Sequence, residues 1–250
     1  MIVKRQLHIG TSGIVAPGNK ETYPDAFKGK SRLTYYSSFF NAVEINSTFR
    51  QIPRQSTFER WTLEVPDDFV FTLKLLKTVT HTKKLQIDFD DIDKFLDAAA
   101  AIGNKKGCLL VQFPGSITFE YVSIIQEILQ RLRELDPTNQ WKKAIEFRNP
   151  TWYHINTFDL LHQYKATMVL QDMPKANNLE LEQPFPFYYF RYHGPLGDYR
   201  GSYSEAFLQA QASAIAPLLS GGKQVYVYFN NTMGSAFENA TYLYKLLVQR

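Results

Sequence analysis

Short apolar runs, separated by longer segments with a helical period, set the rhythm of this chain. Runs rich in β-branched and aromatic residues fall at 7–12 (LHIGTS), 42–46 (AVEIN), 69–75 (FVFTLKL) and 108–113 (CLLVQF). Four more follow at 144–148 (AIEFR), 167–172 (TMVLQD), 187–193 (FYYFRYH) and 225–230 (VYVYFN). Each has the length and composition of a strand. Between most of them apolar positions recur at helical spacing, predicting helices over 32–40, 56–64, 91–102, 119–135, 154–164, 205–219 and 236–248. In the fourth of these, Ile124, Ile125, Ile128, Leu129 and Leu132 form one stripe. Only the connection 173–186 lacks a helical period.

Eight strands alternating with helices imply parallel pairing. The count predicts an α/β fold, a (β/α)8 TIM-type barrel made by residues 1–250 as one domain, with an irregular unit after strand six. A doubly wound open sheet is the competing architecture. It would carry a Gly-rich turn into its first helix, but GTSGIVAPGNK (10–20) lacks GxGxxG spacing and no helix begins there.

Alternation then sorts the side chains. One parity is apolar and should meet the helix ring: Val43, Ile45, Phe71, Leu73, Leu75, Leu109, Val111, Phe113, Ile145, Phe147, Val225, Val227 and Phe229. The other should point inward: His8, Glu44, Asn46, Thr72, Lys74, Gln112, Glu146, Arg148, Asp172, Arg191, His193, Tyr226, Tyr228 and Asn230. Their polarity rises towards the C-terminal strand ends, where barrel enzymes place their sites. The pair Glu146 and Arg148, inside the apolar stretch KKAIEFRNPTW (142–152), thus reads as mouth residues.

Composition narrows the classes. Of 250 residues, 44% are hydrophobic and 21% charged, an ordinary globular balance. The net charge of +4 permits an anionic partner without demanding one. Lys74, Lys77, Lys83 and Lys84 form the densest basic group, read as a solvated loop or as a nucleic-acid contact. Cys108 is alone, which excludes an intramolecular disulfide and a cysteine metal cluster. No apolar run reaches the roughly 20 residues of a membrane helix, and MIVKRQLHIG has no signal-peptide core. A cytoplasmic protein without membrane association is expected.

Three acids (Glu44, Glu146, Asp172) and three bases (Lys74, Arg148, Arg191) should converge with His193 and His81. Several readings of that cluster stand open. It could be a self-paired ion network capping the core. It could capture an anion through Lys74, Arg148 and Arg191, helped by the glycines of HGPLGDYRGSYS (193–204) and by FNNTMGS (229–235). Glu44 and Glu146 could form a glycoside-hydrolase carboxylate pair, although neighbouring cations would keep both ionised. A divalent metal could use Glu44, Glu146, Asp172, His81 and His193, although no HxH or HExxH spacing occurs and three cations oppose it. Nothing in the sequence requires a cofactor. Trp152 would either wall the cleft or pack under a helix.

At VEINSTFRQIP (43–53), THTKKL (80–85), LLVQFP (109–114), AIEFRNPTW (144–152), FRYHG (190–194) and VYVYFNN (225–231) the chain resembles the YecE-like family, domain of unknown function 72. The match in order and spacing runs from IGTSG (9–13) to the final helix. It implies a (β/α) barrel akin to those of apurinic endonuclease and xylose isomerase, but no established reaction. Positions matching the family motifs are Glu44, Asn46, Ser47, His81, Gln112, Glu146, Arg148, Trp152, Asp172, Arg191, His193, Gly194, Asn230 and Asn231. Departures are Ile14 where the family commonly has Trp, Arg50 and Gln51 after STF in place of Tyr-Arg, and Asn149 in place of His.

The leading expectation is a mouth that binds a phosphate- or carboxylate-bearing ligand, with phosphodiester hydrolysis its most specific form. Glu146, His193, Glu44 and Asp172 are the candidate catalytic groups, His193 being the expected proton shuttle. Asn46, Lys74, His81, Gln112, Arg148, Trp152, Arg191, Asn230 and Asn231 are the candidate ligand contacts. The alternative is a non-catalytic nucleic-acid binder.

Overall fold

Eight parallel strands carry the structure: β1 (Leu7–Thr11), β2 (Ala42–Ile45), β3 (Val70–Lys74), β4 (Lys106–Phe113), β5 (Lys142–Phe147), β6 (Thr167–Gln171), β7 (Tyr188–Tyr192) and β8 (Val225–Phe229). The computed structural model of the chain describes residues 6–248. The first five residues, where the stretch read for a targeting signal begins, lie outside the described residues. The strands pair in the order β1-β8-β7-β6-β5-β4-β3-β2, and a parallel bridge between Ser12 and Glu44 joins the two ends. This is a (β/α)8 barrel.

The helices are α1 (Arg32–Tyr36), α2 (Gln55–Leu63), the short α3 (Lys77–Thr80), α4 (Asp90–Ala99), α5 (Val122–Leu135), α6 (Ile155–Gln163), α7 (Glu205–Ser220) and α8 (Ala236–Val248). On α5 the predicted stripe is buried at Ile125, Ile128, Leu129 and Leu132, each contributing about 1.5–3 kcal/mol by burial. The first helix is shorter than predicted. It stops at Tyr36, and the Ser37 and Ser38 hydroxyls turn back to the Thr34 and Tyr35 carbonyls at 2.9 and 2.7 Å. The connection after β6 has no helix, as its sequence predicts. Without one, a groove of about 1030 Å³ lies open beside Leu170, Phe190, Phe207 and Leu218.

Closure at β1 and β2 depends on side chains. The Tyr36 hydroxyl accepts from the Thr11 amide (2.8 Å) and donates to the Ala42 carbonyl (3.0 Å), standing between the strands. Lower down, Asn41 accepts from the Ile9 amide and donates to the Leu7 carbonyl. Gly10 faces this seam, and a Cβ there would fall 2.1 Å from the Ala42 carbonyl oxygen, so only glycine fits.

Strand parity divides the core in two. The outward set from Val43 to Phe229 packs against the helices, as alternation predicts. Inside, Ala42, Cys108, Leu110, Ala144, Val169, Tyr189, Tyr226 and Tyr228 fill the barrel below the mouth. His8 stacks on Tyr226 at 4.5 Å near the lower end.

Candidate functional site

Arg191 is the centre of the barrel mouth. It ends an inward row on β7, starting at Tyr189, and is buried. Its Nε and Nη2 donate to the Glu44 carboxylate at 2.9–3.1 Å, while Nη1 donates to Glu146 Oε2 (3.1 Å) and His193 Nε2 (2.9 Å). Glu44 also accepts from Ser12 Oγ (2.6 Å) and the Tyr189 hydroxyl (2.5 Å). Burial would raise its carboxyl, but Arg191 and these donors hold it below the usual range. Glu146 is likewise buried and held low, its burial outweighed by Arg148 and Arg191. Arg148 Nε donates to Glu146 Oε1.

The pairing decides what the acids can do. Arg191 occupies the space between Glu44 and Glu146, where a glycosidase would need its sugar, and neither carboxylate can act as a proton donor at neutral pH. Among the described residues no three His, Cys, Asp or Glu side chains form a metal-ligating group.

His193, expected as a proton shuttle, has both of its ring nitrogens engaged. Its ring is fully buried, and its Nδ1 lies 3.1 Å from Asp172 Oδ1, which also accepts from the His193 amide at 2.7 Å. Its Nε2 faces donors from both Arg191 (2.9 Å) and Arg148 (2.8 Å). Those contacts fix a neutral ring with its proton on Nδ1. Burial, reinforced by Arg191 and opposed by Asp172, lowers its pKa to about 4. Asp172 reaches this position against parity. Val169 faces inward, so Gln171 takes the inward place at the end of β6. Asp172 lies just past the strand, where the Tyr203 hydroxyl donates to it.

A second group occupies the β3–β4 side. Lys74 Nζ donates to Gln112 Oε1 (2.7 Å) and lies 4.2 Å from the centre of the Phe49 ring. Gln112 Nε2 faces His81 Nε2 at 3.4 Å, and His81 Nδ1 lies 2.8 Å from Thr80 Oγ1. His81 is an exposed residue at the rim, and the partial desolvation of its ring, helped by Lys74, lowers its pKa to about 4, so the chain runs Thr80, neutral His81, Gln112, Lys74. Burial and then Arg191 lower Lys74 to about 8, against the pull of Glu146 and Glu44. No carboxylate pairs with Lys74 among the described residues.

The remaining candidates divide. Asn46 follows β2 with a buried Oδ1 that has no partner, and it lines a cleft of about 840 Å³ with Arg50, Arg54 and Trp61. Asn230 follows β8, its amide donating to the Tyr192 carbonyl at 2.6 Å. Asn231 turns away from the mouth and donates to Gly201 O (2.9 Å) and Asn239 Oδ1 (3.0 Å). Trp152 does not wall the cleft. It is fully buried, stacked on Phe147 at 4.1 Å with Nε1 on the Ile117 carbonyl, because Phe147 is an outward residue of β5. The glycine loop after β7 folds on itself: the Gly194 amide donates to the Tyr203 hydroxyl and the Gly197 amide to the Gly194 carbonyl. Those amides are therefore spent before any phosphate arrives. A Cβ on Gly194, at φ +98°, would lie 2.3 Å from the Arg200 carbonyl oxygen, so the glycine serves loop closure.

Tyr189, Gln171, Ser12 and Tyr203 belong to the site and were missed in the sequence. Parity could have found Tyr189. Gln171 donates from Nε2 to the Phe147 carbonyl (2.8 Å) and buries an Oε1 without a partner.

A family model described as "Protein of unknown function DUF72" matches residues 8–250. The chain belongs to the DUF72 family. Among its relatives, UPF0759 protein YunF of Bacillus subtilis (strain 168) is 27% identical over 150 residues, covering 56% of this chain and 51% of that protein. UPF0759 protein YecE of Escherichia coli (strain K12) is 25% identical over 125 residues, 50% of this chain and 44% of that protein. The chain thus spans about half the length of the curated relatives it matches. A DUF72 crystal structure from Thermotoga maritima MSB8 superposes with TM-score 0.76 at 28% identity, covering 97% of this chain and 99% of that one. One from Enterococcus faecalis V583 gives TM-score 0.78 at 24% identity, covering 97% and 95%, a likeness of fold alone.

Within this DUF72 chain, the departures from the family motifs lie in three places. Ile14 packs half-buried against the core, and its carbonyl accepts from Arg32 Nε at 2.9 Å. Asn149 caps a turn, accepting from the Thr151 amide (3.0 Å) and donating to the Gly115 carbonyl (2.7 Å). Arg50 and Gln51 line the cleft beside Asn46.

Proposed function

We propose that the barrel mouth binds a small anionic ligand, bearing phosphate or carboxylate, between Lys74 and the outer N–H groups of Arg148. The observation that carries this reading is Lys74: a largely buried ammonium whose hydrogen-bond acceptor is a neutral amide, while the nearby Glu44 and Glu146 are paired to Arg191 and Arg148. A buried charge without a counterion costs free energy that an arriving anion relieves. Arg148 adds charge-assisted donors, because Nη1 is not used within the network. The unpartnered acceptors Asn46 Oδ1 and Gln171 Oε1 would take donor groups of the same ligand.

Binding fits the mouth better than hydrolysis does. A hydrolase needs a base for water, and Glu146 and His193 both hold guanidiniums on the atoms that would serve. Calorimetric titration with sn-glycerol 3-phosphate and succinate tests the reading. At least one should bind, with affinity reduced at least about tenfold, near 1.4 kcal/mol, in Arg148→Ala and Lys74→Met. Lys74 is charged below pH 8 and neutral above it, so affinity should fall as pH rises through about 8. Equal affinity in wild type and both variants would overturn the proposal.

A further inference from the structure

We propose that Lys74 is a carbonyl-capturing amine, forming an imine with an aldehyde or ketone whose anionic group rests on Arg148; this builds on the anion-binding reading of the mouth. Its position carries the first part of the argument. Lys74 is the last residue of β3, at the C-terminal end of the barrel, and its side chain is only partly exposed. Phe49 packs its amine on one side, and Gln112 accepts one N–H on another.

The Gln112 orientation is set from behind. Thr80 Oγ1 donates to the Leu76 carbonyl (3.3 Å), so it accepts from His81 Nδ1. His81 Nε2 is then an acceptor, which turns the Gln112 amide N–H towards itself and the carbonyl oxygen towards Lys74. An amine fixed by an acceptor keeps its lone pair, once deprotonated, free for a carbonyl carbon. A carboxylate in the place of Gln112 would instead lock the ammonium form.

The other lysines make the contrast. Lys143 is also buried, yet its ammonium pairs with Asp136 Oδ2 at 3.4 Å. Lys105 and Lys28 face Asp67 and Asp25. Lys77, Lys83 and Lys84 are exposed to water. Lys74 combines shelter, missing counterion and nearby Arg191 and Arg148, the setting in which a lysine is neutral often enough to attack.

The step balances without redox. The neutral amine attacks the carbonyl carbon, and a proton passes from its nitrogen to the oxygen through water to give a neutral carbinolamine. The hydroxyl then takes up one proton from solvent, the C–O bond breaks, the oxygen leaves as water, and the nitrogen lone pair forms C=N. Net, amine, carbonyl and one proton give iminium and water. The iminium retains the positive charge of Lys74, so the mouth keeps its three cations against Glu44, Glu146 and Asp172. The chemistry suits an oxo acid or a carbonyl phosphate, with the anionic end on Arg148 and the carbonyl at Lys74.

Reductive trapping tests this directly. The protein is incubated with pyruvate or dihydroxyacetone phosphate and sodium cyanoborohydride, followed by intact mass and peptide mapping. One of the two probes should label Lys74 at least tenfold faster than Lys143 or any exposed lysine. Lys74→Arg, checked for folding by circular dichroism, should lose that adduct, and Gln112→Leu should slow it. Labelling spread over surface lysines, or unchanged in Lys74→Arg, would overturn the inference. Lactate and sn-glycerol 3-phosphate, which lack the carbonyl, separate the two readings. If either binds in an Arg148-dependent way and neither carbonyl probe is trapped, the imine falls and anion binding stands. If trapping occurs but is indifferent to Arg148→Ala, the imine stands and the anion anchor falls.

Discussion

Each side of the barrel mouth holds a cation and a neutral histidine, yet the two reach opposite electrostatic outcomes. On the β2, β5 and β7 side, Arg191 is shared by Glu44 and Glu146, and His193 is wedged between two guanidiniums and Asp172. On the β3 and β4 side, Lys74 has a neutral amide for a partner and its charge is opposed by its surroundings. One side satisfies itself; the other is left for something else to satisfy. Counting charged residues in a cleft therefore says little about ligands. The informative quantity is which of them has an opposite charge within reach.

The largest effect should come from breaking the satisfied side. Arg191→Ala leaves two buried carboxylates without their shared cation, a loss on the order of 3–5 kcal/mol, enough to prevent folding of many domains. Arg148→Ala leaves Glu146 still paired to Arg191 and should cost only about 1–2 kcal/mol. Urea midpoints of the two variants check the ranking. The reverse order would mean that Arg148, not Arg191, anchors the network.

Acid provides the next test. His193 and His8 have folded pKa values lowered to about 4, in each case first by burial. The unfolded chain takes up protons below about 6.5 while the folded one does not, so stability is full above 6.5 and is lost as pH falls towards 4. Each ring should remove about 2 kcal/mol between pH 7 and pH 5. Glu44 and Glu146 are depressed below the carboxylate range, so their contribution survives to still lower pH. His81 is lowered to about 4 as well, at a more exposed position, so His8→Gln should flatten about a third to a half of the acid slope between pH 7 and pH 5. A slope unchanged in that variant would place the titration elsewhere.

Much of this site could be read from alternation alone. Glu44, Lys74, Gln112, Glu146 and Arg191 arrive at the mouth because a strand has a period of two, and that periodicity is local. Gln171 and Asp172 show the limit. The register of β6 is fixed by Met168 and Leu170 packing outward, and TMVLQD is apolar on both parities, so the pattern cannot choose. Trp152 and the glycines after β7 fail for a different reason. Their roles depend on particular partners, Ile117 far back in the chain for the tryptophan and Tyr203 across the same loop for Gly194, which no periodic pattern announces. The protonation of His193 was equally hidden, since it depends on two arginines arriving from different strands.

The smallest effect is the one that separates the two sides most sharply. Lys74→Met removes an ammonium that the ligand-free mouth disfavours, so the variant should be more stable than wild type at pH 7. The gain should be on the order of 1–2 kcal/mol after allowing for partial exposure. The sign with pH follows from a folded pKa near 8 against an unfolded value near 10.4. Below pH 8 both states of wild type carry the proton and the cost is present in full. Between 8 and 10.4 the folded protein sheds the proton first, wild type recovers, and the advantage of methionine should fade. Melting temperatures of both proteins across that range give the answer. A Lys74→Met variant less stable than wild type at pH 7 would mean that the ammonium is already compensated, and the mouth would then be one closed network with no side waiting for an anion.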